Sequence, residues 1–168
     1  MKKFSASLLA ISFFMLILCG CDISKKVQPV KEFSAKVHIT CADTESDANV
    51  VLSQGNNLLI EITSPESLRG LTYQYANSTL YIEYEKLKCN SNSDYLQKDN
   101  PFDAIKTALF TMKTTPVECR KTENDIDVYV LNTERGKSHV YVDSKTGYIR
   151  RIKPNYTACE IEFSDIKA

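Results

Sequence analysis

The residues of this 168-residue chain best suited to chemistry are its six cysteines, its two histidines and a set of alternating acids. None stands in a spacing that reactive chemistry requires. Redox catalysis by neighbouring thiols uses C-x-x-C, and Cys41, Cys89, Cys119 and Cys159 are each isolated in sequence. His38 and His139 belong neither to H-E-x-x-H nor to a group of acids at metal-ligand spacing, and no serine elbow accompanies them. Both fall where a strand turns a polar face to water. Glu83, Glu85, Glu160 and Glu162 alternate with apolar residues, the pattern of a wet strand face rather than of a glycosidase acid pair. The five glycines are scattered among turns, so no phosphate-binding loop is present. The expectation is a protein without catalytic residues, cofactor or metal.

Chemistry of another kind is expected at Cys21. Lys2 and Lys3 precede an apolar run from Leu8 to Leu18, about half the ~20 residues that span a bilayer as a helix, which is the form of a secretory signal. The run ends in Leu18-Cys19-Gly20-Cys21, which resembles the lipobox of bacterial lipoproteins. That resemblance implies a diacylglycerol thioether on Cys21, which becomes the new N-terminus. Each buried methylene contributes ~0.8 kcal/mol, so two or three acyl chains hold a protein at a membrane. Residues 1–20 are therefore expected to be a signal peptide, 21–31 a polar tether and 32–168 one domain on the outer face of a bacterial membrane, a spore membrane being one such surface.

Outside the membrane the four remaining cysteines permit two disulfides and three pairings. Cys89 and Cys119 bracket a polar loop and a helix, while Cys41 and Cys159 lie in the first and last strands, so those two pairs are expected. The alternative is that the four remain small buried thiols. The formal charge is balanced and no basic stripe is visible, so nucleic acid is not an expected partner.

The elements that must carry these residues are mostly strands. Phe33, Ala35, Val37, Ile39 and Cys41 share one face of a first strand; Ala42 to Asp47 reads as a turn, and Ala48 to Leu52 as a second strand. Leu58-Ile60-Ile62, Leu71-Tyr73-Tyr75 and Leu80-Ile82-Tyr84 mark three more, with Ser64-Pro65 ending the first and Ala76-Asn77-Ser78 turning the second into the third. Leu87 to Asn100 reads as a polar loop. Asn100-Pro101 opens a helix to about Lys113, with Asn100 as N-cap, Pro101 at its first position, Asp103 facing the positive dipole end, and Phe102, Ile105, Ala108, Leu109 and Met112 on its core face. Five strands follow, at 117–122, 126–131, 140–142, 148–152 and 159–163, giving about ten. Tyr81, Tyr129 and Tyr141 lie opposite their strands' main apolar faces, and Phe110 lies outside the helix's apolar arc. Since tyrosine is enriched at interfaces, these four are the expected partner contacts.

The motif order SPESLRGLTYQY, LYIEYEKL, a lone helix, HVYVDSKTGYIRRIK and CEIEFSDIK resembles the LolA-like family, over about residues 32–168. The resemblance implies a mainly β domain with α: a curved antiparallel half-barrel of about ten strands with one main helix packed on it. Among lipidated members the chain most resembles the germination lipoproteins of anaerobic spore-formers. This implies a non-catalytic protein, anchored through Cys21, that binds and supports a cell-wall amidase during spore-cortex modification. The alternative is a lipid or lipoprotein carrier that uses the concave face. An exposed edge strand adds homodimerisation by strand pairing or exchange, compatible with either.

Overall fold

The computed structural model describes residues 32–168, apart from 93–95, 98 and 118. The expectations for residues 1–31, including lipidation of Cys21, lie outside the described residues. Eleven strands form one antiparallel sheet: β1 Phe33–Cys41, β2 Thr44–Ser53, β3 Asn57–Ser64, β4 Thr72–Ala76, β5 Thr79–Tyr84, β6 Leu87–Asn92, β7 Cys119–Glu123, β8 Ile126–Thr133, β9 Gly136–Asp143, β10 Ile149–Pro154 and β11 Cys159–Lys167. Their order is β6-β5-β4-β3-β2-β1-β11-β10-β9-β8-β7. Two meanders, β1–β6 and β7–β11, thus meet at a seam between the first and last strands. The fold class expected from the sequence, a mainly β domain in which one main helix packs on a curved antiparallel sheet, is the one observed among the described residues.

Tight turns set the register. Asn77-Ser78 and Asn124-Asp125 both have positive φ at each residue, the backbone twist that suits two-residue hairpins. Between β9 and β10, Asp143 Oδ1 accepts from the Lys145 and Thr146 amides at 3.1 and 2.9 Å, and Gly147 takes φ +76°. These bonds stabilise the Asp143 carboxylate and lower its pKa to about 2, together with the Arg150 guanidinium.

Two elements differ from expectation. Glu45, Ser46 and Asp47 extend β2, because only Ala42-Asp43 is needed to turn from β1, with Thr44 Oγ1 donating to the Cys41 carbonyl at 2.9 Å. The start of the supposed polar loop is β6, paired with β5 from Tyr84–Leu87 to Thr79–Asn92. An edge strand with both faces wet carries no apolar alternation, so its backbone pairing is invisible to a periodicity reading.

The helix α1, Pro101–Thr114, lies on the concave side against β8, β10 and β11. Asn100 Oδ1 accepts from the Phe102 and Asp103 amides at 2.9 and 3.4 Å, satisfying donors that a first helical turn leaves open. Phe102, Ile105, Ala108, Leu109 and Met112 enter one core with the inward faces of both meanders. Among the described residues no helix is long and apolar enough to cross a membrane.

Candidate functional site

The expected site residues fall in three different environments. Cys41 and Cys159 are opposite one another in the β1–β11 register and form a disulfide that staples the seam. Cys89 and Cys119 are free, which corrects the second expected pair. The cause is topology: Cys89 is on β6 and Cys119 on β7, the two opposite edges of the sheet. Cys89 is exposed, and the Cys119 thiol donates to the Lys121 carbonyl at 3.3 Å.

Of the four expected partner contacts, Tyr129 is corrected. It is 3% exposed and faces inward with Asp127 and Leu131, while Ile126, Val128 and Val130 take the outer face. Alternation alone does not say which face of a strand is inside; pairing with the buried Val140 decides it. Burial then raises the Tyr129 hydroxyl pKa, helped by the nearby Asp127 carboxylate. Phe110 is half-buried at the core margin. Tyr141 is half-buried on the outer face with the Arg151 guanidinium 4.2 Å above its ring, and Tyr81 is 44% exposed on β5. Tyr81 and Tyr141 sit on different meanders, so the four do not form one surface.

A more continuous surface passes through Tyr81. Register places Val51, Leu59, Gln74 and Tyr81 side by side across β2, β3, β4 and β5, with Val51 and Leu59 each 38% exposed. The sequence does contain a signal for this row. Val50-Val51-Leu52 and Leu58-Leu59-Ile60 are apolar triplets in alternating strands, and the middle residue of such a triplet must point outward.

A second group that sequence reasoning missed lies beneath α1. Asp103 is fully buried, with Arg135 Nε 3.0 Å from Oδ2 and Lys106 Nζ 3.2 Å from Oδ1. These contacts are ion pairs rather than well-aligned hydrogen bonds. Lys106 also stands 5.5 Å from the centroid of the buried Tyr75 ring. Burial, reinforced by Asp103, raises the Tyr75 hydroxyl pKa. Gly136, next to Arg135, leaves room for the Tyr156 ring, since a Cβ there would stand 3.1 Å from it. Expected only as a dipole partner, Asp103 instead ties the helix to the β8–β9 turn.

Beside the first turn of α1 the concave face opens into a cleft of about 610 Å³. Ile39, Ile62, Leu68, Leu71, Tyr73 and Phe102 supply its apolar lining, with the seam disulfide also at its wall. Tyr73 and Phe102 stack at 4.7 Å between ring centroids. Tyr84 Oη donates to the Ser67 carbonyl at 2.8 Å, holding the 65–70 loop that carries Leu68. Glu45 and Asp99 are the charged residues of the lining.

The histidines are arranged as side chains of an outer face: His38 Nδ1 is 2.8 Å from Asp47 Oδ1 and His139 Nδ1 3.1 Å from Asn155 Oδ1. The Asp47 contact raises the His38 pKa. No group of three or more His, Cys, Asp or Glu side chains among the described residues is placed to hold a metal ion.

No protein-family model matches the sequence. No curated protein matches it by sequence either. Solved structures are similar in fold. An uncharacterised conserved protein from Thermus thermophilus aligns with TM-score 0.53 and 13% identity, covering 93% of this chain and 86% of its own. The structure of the CwlD amidase from Clostridioides difficile in complex with the GerS lipoprotein aligns with TM-score 0.51 and 15% identity, covering 96% and 95%. A LolA superfamily protein from Nitrosomonas europaea aligns with TM-score 0.44 and 15% identity, covering 83% and 87%. At such identities the likeness is one of fold, and what this chain binds has to be argued from its own surfaces.

Proposed function

We propose that this chain is a non-catalytic lipoprotein, anchored through Cys21 to the outer face of a bacterial membrane, that binds and supports a cell-wall amidase in spore-cortex modification and germination. The observation that carries the binding role is the filled interior. Leu58, Ile60, Ile105, Leu109, Leu131 and Ile161 are essentially inaccessible, and the buried Asp103–Arg135 pair fastens the helix over them. A half-barrel packed with its own side chains is suited to present a surface, and the row through Val51, Leu59 and Tyr81 is an exposed one. The amidase as partner is supported by the fold shared with the CwlD–GerS complex and by the lipobox resemblance of Leu18 to Cys21.

The cleft favours a second reading, a carrier of lipid or lipoprotein on the concave face. Affinity capture of the full-length protein from sporulating cells, followed by mass spectrometry of proteins and lipids, separates the two. The platform predicts an amidase in the wild-type capture, reduced by Tyr81→Ala with the melting temperature unchanged, and membrane release by Cys21→Ser. Stoichiometric acyl lipid with no peptidoglycan enzyme would establish the carrier instead.

A further inference from the structure

We infer that the protein partner adds an extended segment as a further strand on the free edge β6, with apolar side chains set beside Leu87 and Cys89. This rests on the platform reading above and adds where the partner pairs and what pattern its pairing segment carries. The sheet ends in β6 on one side and β7 on the other, and the two edges are built differently. β7 carries Arg120, Lys121 and Glu123 in five residues, and its register with β8 is broken by a bulge between Cys119 and Lys121. Charges and bulges are devices that keep an edge from pairing with another chain. β6 has neither protection to that degree. Its six residues stay in unbroken register with β5, and its one charge, Lys88, is paired with Glu83 at 2.7 Å. An edge strand turns backbone N–H and C=O groups away from its sheet, and an added strand satisfies them.

Register supplies the selectivity. Leu87 and Cys89 stand opposite Tyr84 and Ile82, on the face that Leu80 turns into the core, so they carry the concave face out to its rim. Leu87 is 74% exposed there, the most exposed large apolar side chain among the described residues. Lys88 and Asn90 belong to the outer face, and Asn90 is opposite Tyr81. A segment lying along β6 therefore covers Leu87 and Cys89 on one face. On the other it borders the row that runs through Tyr81, Gln74, Leu59 and Val51. The edge and the exposed row are thus one continuous surface, and the segment that fits it alternates, with its apolar residues toward the concave side.

A second copy of this chain fits the edge less well. An antiparallel copy that sets Leu87 opposite Leu87 or Cys89 also sets Lys88 of one copy opposite Lys86 or Lys88 of the other, and like charges directly opposite one another are destabilising. The register that avoids this, centred on Cys89, leaves Leu87 opposite Ser91 with its apolar surface unmatched. An acyl chain covers Leu87 but offers the backbone edge neither donor nor acceptor. A different protein segment meets both requirements.

The test uses full-length protein in sporulating cells, with the photocrosslinking residue p-benzoylphenylalanine in place of Leu87 or, for comparison, in place of Lys121 on β7. Ultraviolet light should join the Leu87 position to the amidase and leave the Lys121 position unlinked. In the captured complex, amide hydrogen exchange over residues 87–92 should be slower than in the free protein by about tenfold or more, with residues 119–123 unchanged. Side-chain docking beside the edge would leave that exchange as it was. Cys89→Lys sets a charge on the concave side of the edge at an exposed position, and should lower amidase capture about tenfold at an unchanged melting temperature. Leu87 linked to a second copy or to lipid, unaltered exchange over residues 87–92, or full capture by Cys89→Lys would each overturn the inference. If the wild type still captures an amidase in those cases, the platform reading stands and only the edge assignment is lost. A wild-type capture with no protein partner would overturn the platform reading, and the edge assignment falls with it.

Discussion

The two meanders of the sheet treat their concave faces differently. Against β8, β10 and β11 the helix is packed directly and anchored by the buried Asp103–Arg135 pair; beside β1, β3 and β4 the same concavity is left open at one end as the apolar cleft. One half is closed by a helix that spends a buried charge pair on its position. The other is closed only part of the way, and the seam disulfide stands where the open part begins. A buried ion pair adds little net stability compared with well-packed apolar residues, but it is costly to break, so it specifies one helix position more than it strengthens the fold. The lesson is that rigidity and accessibility are allotted to different halves of one sheet.

The largest expected effect comes from breaking the closed half. Asp103→Ala leaves Lys106 and Arg135 beside an absent carboxylate and should cost about 3–5 kcal/mol in chemical denaturation. Replacing Asp103, Lys106 and Arg135 together by apolar residues should recover most of this. A triple variant as unstable as Asp103→Ala would mean that the charges contribute more than position.

The seam comes next. Cys41→Ser combined with Cys159→Ser removes a link across a sequence separation of 118 and should cost about 2–5 kcal/mol, read as a lower denaturation midpoint. Adding reductant to the wild type should reproduce the shift. A reductant-insensitive midpoint would show that β1–β11 pairing holds the two meanders without help.

Truncation then compares the halves directly. Leu131→Ala, in the closed half, should cost about 3 kcal/mol, whereas Leu71→Ala, at the half-exposed cleft wall, should cost about 1 kcal/mol. Equal losses would mean that the cleft is as tightly packed in solution as the core.

The smallest effect is local to the β9–β10 turn. The folded-state pKa of Asp143, about 2, lies below its ordinary value, so the ionised form contributes stability above the ordinary carboxylate range. That contribution should be lost as pH falls from about 4 through about 2. Asp143→Asn should be less stable than wild type by about 1 kcal/mol at neutral pH, with the difference vanishing at the acid end.

Local signals explain how much of this was legible beforehand. The start of α1 could be read because an N-cap asparagine followed by proline satisfies the first turn from within a few residues. β1 could be read because one of its faces is buried along its length, which imposes strict alternation. β6 could not, since an edge strand exposed on both sides needs only backbone bonds and leaves its side chains unconstrained. Tyr129 was assigned to the wrong face because β8 has apolar residues on both, and only its neighbours in the sheet distinguish them. In the candidate site, Cys41 and Cys159 were named as a pair, but the cleft they border and the acids that rim it were not.

Composition, periodicity and turn chemistry were sufficient to determine a mainly β fold with one capped helix, because each of those features is set by residues a few positions apart. Tertiary structure decided the strand order, and with it the separation of Cys89 from Cys119, the burial of Asp103 beside Arg135, and the union of Glu45, Leu71 and Asp99 at one opening. These depend on contacts between distant parts of the chain, whose geometry exists only once the sheet has closed on the helix.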